Sequence, residues 1–211
     1  MQKIAIAMIN HKGGVGKTTL AVILSQIALE EGCSVAAVDL DPQRNFTDAM
    51  SFVQNRYDSQ LQISDQINDD GDVIMIDCPP ALDKATATAI DYADIALIPV
   101  LPDLFSLSNL GIVYDFGQKH EKAAEQMPIV KIGYDKRGLA EIARAALDSR
   151  AYPIAGDIPL NRLIPFNLAS GRAWGSGIPM PARKPYTDLY KSILAAYSQM
   201  LEGNFDVWGR E

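Results

Sequence analysis

Short, nearly continuous apolar runs alternate with longer stretches whose apolar residues recur at helical spacing. Residues 3–9 form the first such run, the mark of a strand buried on both faces. Leu20, Ile23, Leu24, Ile27 and Ala28 then share one helical face, predicting a helix over 17–31 that Gly32 ends. The same reading places strands at 34–38, 73–76, 95–100, 129–132 and 154–158. It places helices at 47–55, 81–92, 104–120, 137–149 and 187–201. Residues 56–71 are polar and carry no clear period, and 165–185 are rich in Pro and Gly and read as a long surface loop.

Strand–helix alternation with buried strands predicts an α/β fold: a doubly wound, mostly parallel sheet with helices on both faces. No internal repeat or linker divides the chain, so 1–211 reads as a single domain. Ligands of such sheets sit beyond the carboxyl ends of the strands. Asp39, Asp77 and the loop after Ile9 all fall at that edge.

Composition narrows the picture. With 211 residues, 48% hydrophobic and 21% charged, the chain can bury a core without staples, which excludes disordered and low-complexity classes. The two cysteines, Cys33 and Cys78, lack zinc or disulfide spacing and read as buried free thiols in a reducing cytoplasm. No run is long enough to cross a membrane and no signal-peptide pattern is present. The net charge of −7 argues against a dedicated nucleic-acid binder, but it is unevenly spread. Residues 61–120 carry two Lys/Arg against ten Asp/Glu, whereas 131–191 carry ten against five.

The strongest chemical signal is Lys12, Gly13, Gly14, Val15, Gly16, Lys17, Thr18 and Thr19, between the first strand and the first helix. Glycines let backbone N–H groups turn inward around a phosphate, and the helix N-terminus adds a favourable field. Lys17 would meet the terminal phosphates and the Thr18 hydroxyl would ligate Mg²⁺. The strict pattern GxxxxGK(S/T) needs glycine at position 11, where this chain has His11, and an extra lysine stands at position 12. Residues 73–77 are an apolar strand ending in Asp77, which would hold Mg²⁺ through water. Asp39 and Asp41 point the same way from the end of the second strand, and Asp41 is placed to orient or deprotonate an attacking water.

KGGVGKTT (12–19), DLDPQ (39–43) and DVIMIDCPP (72–80) together resemble the ParA/MinD family of deviant Walker A P-loop ATPases. The likeness is greatest to small plasmid-partition ParA proteins of the ParF kind, which lack an N-terminal DNA-binding extension. It covers residues 1–110 well and is looser beyond. The resemblance implies ATP and Mg²⁺ as cofactors. It makes Lys12 the signature lysine, reaching a partner's phosphates across an ATP-sandwich homodimer. Lys17 becomes the P-loop lysine, Thr18 and Asp77 the metal residues, and Asp41 the catalytic aspartate. Pro159 falls in the segment that contacts the adenine. Cys78 stands where threonine is usual, and 132–135 lack the family's base-reading asparagine.

The implied role is a nucleotide-timed switch for plasmid or chromosome partition, nucleoid-associated when ATP-bound. Its partners would be nonspecific DNA, a centromere-binding adaptor that stimulates hydrolysis, and further copies of itself. Arg137, Arg144, Arg162, Arg172, Arg183 and Lys184 are the candidate DNA contacts. The alternatives are a MinD-like membrane-associated positioning ATPase and a ParA-like ATPase that positions a protein cargo. A membrane anchor needs a basic amphipathic tail, and the last eight residues hold only Arg210 as a base. His11 and His120 are assigned no catalytic role, His120 reading as a charge partner at a helix end.

Overall fold

The computed structural model describes residues 2–57, 59–133, 138–150, 152–159, 177 and 179–208. Seven strands form one parallel sheet: β1 (Ile4–Met8), β2 (Val35–Asp39), β3 (Leu61–Ser64), β4 (Val73–Asp77), β5 (Ile95–Val100), β6 (Ile129–Ile132) and β7 (Ile154–Ile158). Their spatial order is β3-β2-β4-β1-β5-β6-β7. The two ladders of β1 run unbroken, with Met8 beside Asp77 on one side and Leu97 on the other. The seven helices are α1 (Lys17–Glu30), α2 (Asn45–Gln54), α3 (Lys84–Tyr92), α4 (Leu104–Ser108), α5 (Leu110–Lys119), α6 (Gly138–Asp148) and α7 (Met180–Leu201) among the described residues.

The apolar runs earn their burial from both sides. Ile4, Ile6 and Met8 face a layer built by α1, α2 and α7; Ala5, Ala7 and Ile9 face the opposite layer with residues of α3, α5 and α6. This is the doubly wound sheet the alternation predicts. Gly32 ends α1 as expected, with Gly32 N donating to Leu29 O and Cys33 N to Ala28 O, a Schellman closure. Both cysteines are free and buried.

Four readings need correction. The unassigned stretch 56–71 contains β3, an edge strand whose Leu61 is buried while Gln62 is exposed. The single helix expected over 104–120 is two, Leu104–Ser108 and Leu110–Lys119, which meet at Asn109; Asp103 accepts from Ser106 N at the start of the first. The helix expected from position 81 begins at Lys84, where Asp83 accepts from Thr86 N. The closing helix starts at Met180 rather than at 187, so the end of the supposed loop 165–185 is helical. Pro181 falls in its first turn, where a missing N–H costs nothing, and only Pro185 removes an internal bond. Residues 160–176, with Trp174, lie outside the described residues.

Candidate active site

Topology assembles the site. The loop after β1 emerges between the carboxyl ends of β4 and β5, the two strands beside it. Residues from both therefore frame it. Gly16 precedes α1 with φ 98°, a conformation that side chains other than glycine rarely adopt, and Ile132 Cδ1 lies 3.0 Å from where a Cβ would stand. Val15 is buried beneath the loop, and Gly13 faces Pro80 after β4.

The two lysines of the loop go different ways. Lys17, on the first turn of α1, curls into the loop and donates to Lys12 O at 3.2 Å. Burial pushes its ammonium below the ordinary lysine range, opposed by the charge of Asp77. Lys12 points outward, its Nζ 2.8 Å from Asp103 Oδ1 beyond the end of β5.

Thr18 Oγ1 donates to Asp77 Oδ2 at 2.6 Å. Asp77 is fully buried, and its Oδ1 has no partner among the described residues. Desolvation raises this carboxyl to about 7, with Thr18 and Lys17 pulling the other way. A hydroxyl and a half-satisfied buried carboxylate are hard oxygen donors, and the orphaned oxygen is what a Mg²⁺ hydration shell would satisfy. The two residues therefore fit the metal assignment.

Asp41 lies just past β2, on the far side of β4 from β1. It is held by its predecessor: Asp39 Oδ1 accepts Asp41 N at 3.1 Å and Asp39 Oδ2 accepts Thr47 N at 2.8 Å. Asp41 Oδ1 in turn accepts Gln43 N at 3.0 Å, and the charge of Asp41 acts on both Asp77 and Lys17. Lys17, Thr18, Asp41 and Asp77 thus share one sheet edge. Pro159 lies at the same edge, immediately beyond β7 and three strands from β1, about 14 Å across the sheet.

Sequence reasoning missed three residues. Asn10 is buried, donates to Pro99 O at 3.0 Å and accepts Lys12 N at 3.0 Å, tying the loop's base to β5. Its signal was a polar side chain ending an apolar strand. Asp103 and Ser106, which grip Lys12, had no motif to mark them. Of the candidate DNA contacts, Arg144 pairs with Asp157 at 2.8 Å, Arg183 with Glu30 at 3.1 Å, and Lys184 with Asp188. Arg137, Arg162 and Arg172 lie outside the described residues. His120, at the end of α5, lies 2.8 Å from Asp91 through its Nδ1.

A glycine-rich loop ending the central strand, with a buried carboxylate closing the next strand, is the arrangement of the ParA/MinD class of P-loop ATPases. The AAA domain family matches residues 2–64 and 60–127, and the chain belongs to that family. It is 32% identical over 114 residues to the maintenance of carboxysome distribution protein A of Halothiobacillus neapolitanus, covering 48% of this chain and 52% of that one. It is 26% identical over 231 residues to the chromosome partitioning protein ParA of Caulobacter vibrioides, covering 83% and 85%. The chain spans about half the length of several curated relatives it matches, the carboxysome protein among them. In fold it is similar to a plasmid partition protein of Borrelia burgdorferi bound to AMPPNP, with a TM-score of 0.76 at 18% identity over 92% of this chain and 99% of that one. Among the described residues no helix is long and apolar enough to cross a membrane.

Proposed function

We propose that this chain is an ATP-hydrolysing switch of the ParA type, which pairs with a second copy across bound nucleotide and positions a cargo such as a plasmid or chromosome. The observation that carries the reading is the divergence of the two loop lysines. Lys17 lies inside its own loop, while the Lys12 ammonium lies outside it at the end of β5. One loop needs one lysine on its phosphates; a second cation held outward suits the phosphates of a partner copy. Mg²⁺, when bound, would neutralise charge on the phosphates. Thr18 and Asp77 would hold it, Lys17 would bind the phosphates, and Asp41, fixed by Asp39, would orient the water and take its proton.

The ATP-bound pair would bind nonspecific DNA and become nucleoid-associated, with a centromere-binding adaptor stimulating hydrolysis. The basic excess of 131–191 supports a DNA surface, and the overall −7 makes such binding dependent on the avidity of two copies. A protein cargo is the second reading, favoured by the 32% identity to a carboxysome distribution protein. Sedimentation velocity with ATP, ADP or no nucleotide tests the switch. A dimer with ATP alone is expected for wild type and its loss for Lys12→Ala. A Lys12→Ala variant that dimerises and hydrolyses ATP normally would falsify the reading.

A further inference from the structure

Lys12 is gripped from one short segment. Its Nζ donates to Asp103 Oδ1 at 2.8 Å, Asp103 Oδ2 at 2.9 Å and Ser106 Oγ at 3.0 Å. The gripping carboxylate is itself fixed. Asp103 Oδ1 accepts Ser106 N at 2.8 Å and Oδ2 accepts Ser106 Oγ at 2.7 Å, so the group that caps α4 also binds the lysine. Partial burial works to raise the Asp103 carboxyl, but the hydrogen bonds from Lys12 and Ser106 outweigh it and hold it low. The pairing follows from the topology. β5 adjoins β1, and Asn10 bonds both Pro99 O and Lys12 N, which brings the loop's base beside the start of α4.

We propose that Asp103, assisted by Ser106, is a positioning residue for Lys12: it parks the ammonium on its own protomer, and the nucleotide-bound pair forms only as this clasp opens. The inference rests on the reading of Lys12 as a lysine that serves the partner copy. One ammonium cannot keep bidentate contact with Asp103 and also seat on phosphates across an interface. A terminal phosphate carries more charge than one carboxylate, so it wins once a partner brings it close. Until then the clasp holds Lys12 back from any phosphate.

The strength suits a brake rather than a lock. The side chains are 32% and 36% exposed, and pairs this exposed bias an equilibrium by about threefold. Two clasps open per dimer, so their loss should tighten pairing by about tenfold.

The test is sedimentation velocity over a range of protein concentrations with Mg-AMPPNP, on wild type, Asp103→Asn, Asp103→Ala, Ser106→Ala and Lys12→Ala. Asparagine caps a helix as well as aspartate does, so Asp103→Asn removes the ion pair and keeps α4. Asp103→Asn and Asp103→Ala are both expected to dimerise at about tenfold lower concentration, and Ser106→Ala to shift less in the same direction. ATPase should reach half-maximum at correspondingly lower protein concentration. The proposal is overturned if Asp103→Asn dimerises like wild type or more weakly, or if only Asp103→Ala shifts, since loss of the cap would then be the cause. A monomeric Lys12→Ala beside an unshifted Asp103→Asn sinks this inference alone. A Lys12→Ala that dimerises as wild type does sinks the partner-lysine reading and this inference with it.

Discussion

Thr18 Oγ1 bonds Asp77 Oδ2 across 2.6 Å, from the first turn of α1 to the end of β4. The bond joins the phosphate loop's helix to the neighbouring strand and satisfies half of a buried carboxylate. The other half, Oδ1, has no partner among the described residues. Such a group is costly when charged and bare, and is relieved by a proton or a cation.

That cost sets a pH dependence. Asp77 ionises near pH 4 in an unfolded chain and at about 7 in the fold, through desolvation first. Between those values the folded state holds a proton that the unfolded state has lost, so stability falls as pH rises through the window. Asp77→Asn removes the titration. Without nucleotide or Mg²⁺, the variant should gain on wild type by about 1–2 kcal/mol between pH 5.5 and 8, levelling off above about pH 7. Thermal melts at stepped pH check this, and a constant difference would contradict it.

Thr18→Val keeps the shape of the side chain and removes its hydroxyl. Affinity for a fluorescent ATP analogue should fall about tenfold or more with Mg²⁺ present and stay near wild type in EDTA. Titrations in the two buffers separate a metal residue from one that only packs; equal losses in both would mark Thr18 as structural.

Asp39 and Asp41 should part company. Asp39 is buried and accepts two backbone N–H groups, those of Asp41 and Thr47. Asp39→Ala leaves both donors wanting and should cost about 2–3 kcal/mol, seen as a lower midpoint in urea. Among the described residues Asp41 accepts only Gln43 N, which asparagine can also serve. Asp41→Asn should keep its stability and its ATP affinity while hydrolysis falls at least about 10²-fold in steady-state assays.

The contrast shows what could be read from the chain and what could not. β1, β2, β4 and β5 were legible because burial on both faces leaves a nearly unbroken apolar run, as in 73–76. β6 and β7 were legible from shorter apolar stretches that hold Lys131 and Asp157. Edge strand β3 was not, since Leu61 and Ile63 alternate with polar residues over only four positions. The loop residues, Asp41 and Asp77 could be picked out because each sits in a local motif at a strand end, and the fold brings them to one sheet edge. Asp103 meets Lys12 across 91 positions, and that contact exists only because β5 lies next to β1. The order of strands is a property of packing, and no local pattern in 101–108 announces it.

Strand packing also divides the candidate DNA contacts into two kinds. Arg144 pairs with Asp157 and Asp148 in a cluster that also holds the buried Lys131 between β6, β7 and α6. Its side chain is about a third exposed, so Arg144→Ala should cost roughly 0.5–1 kcal/mol, a fall of a degree or two in Tm. Lys184 is 70% exposed and, among the described residues, pairs only along its own helix with Asp188. A phosphate can compete for it at little cost to the fold. Lys184→Ala should leave Tm unchanged and weaken ATP-dependent binding of random-sequence DNA. The slope of log affinity against log salt should shrink by about two, one phosphate contact from each copy of the dimer. Fluorescence anisotropy with labelled duplex at four salt concentrations measures that slope. An unchanged slope would place the DNA surface away from the start of α7.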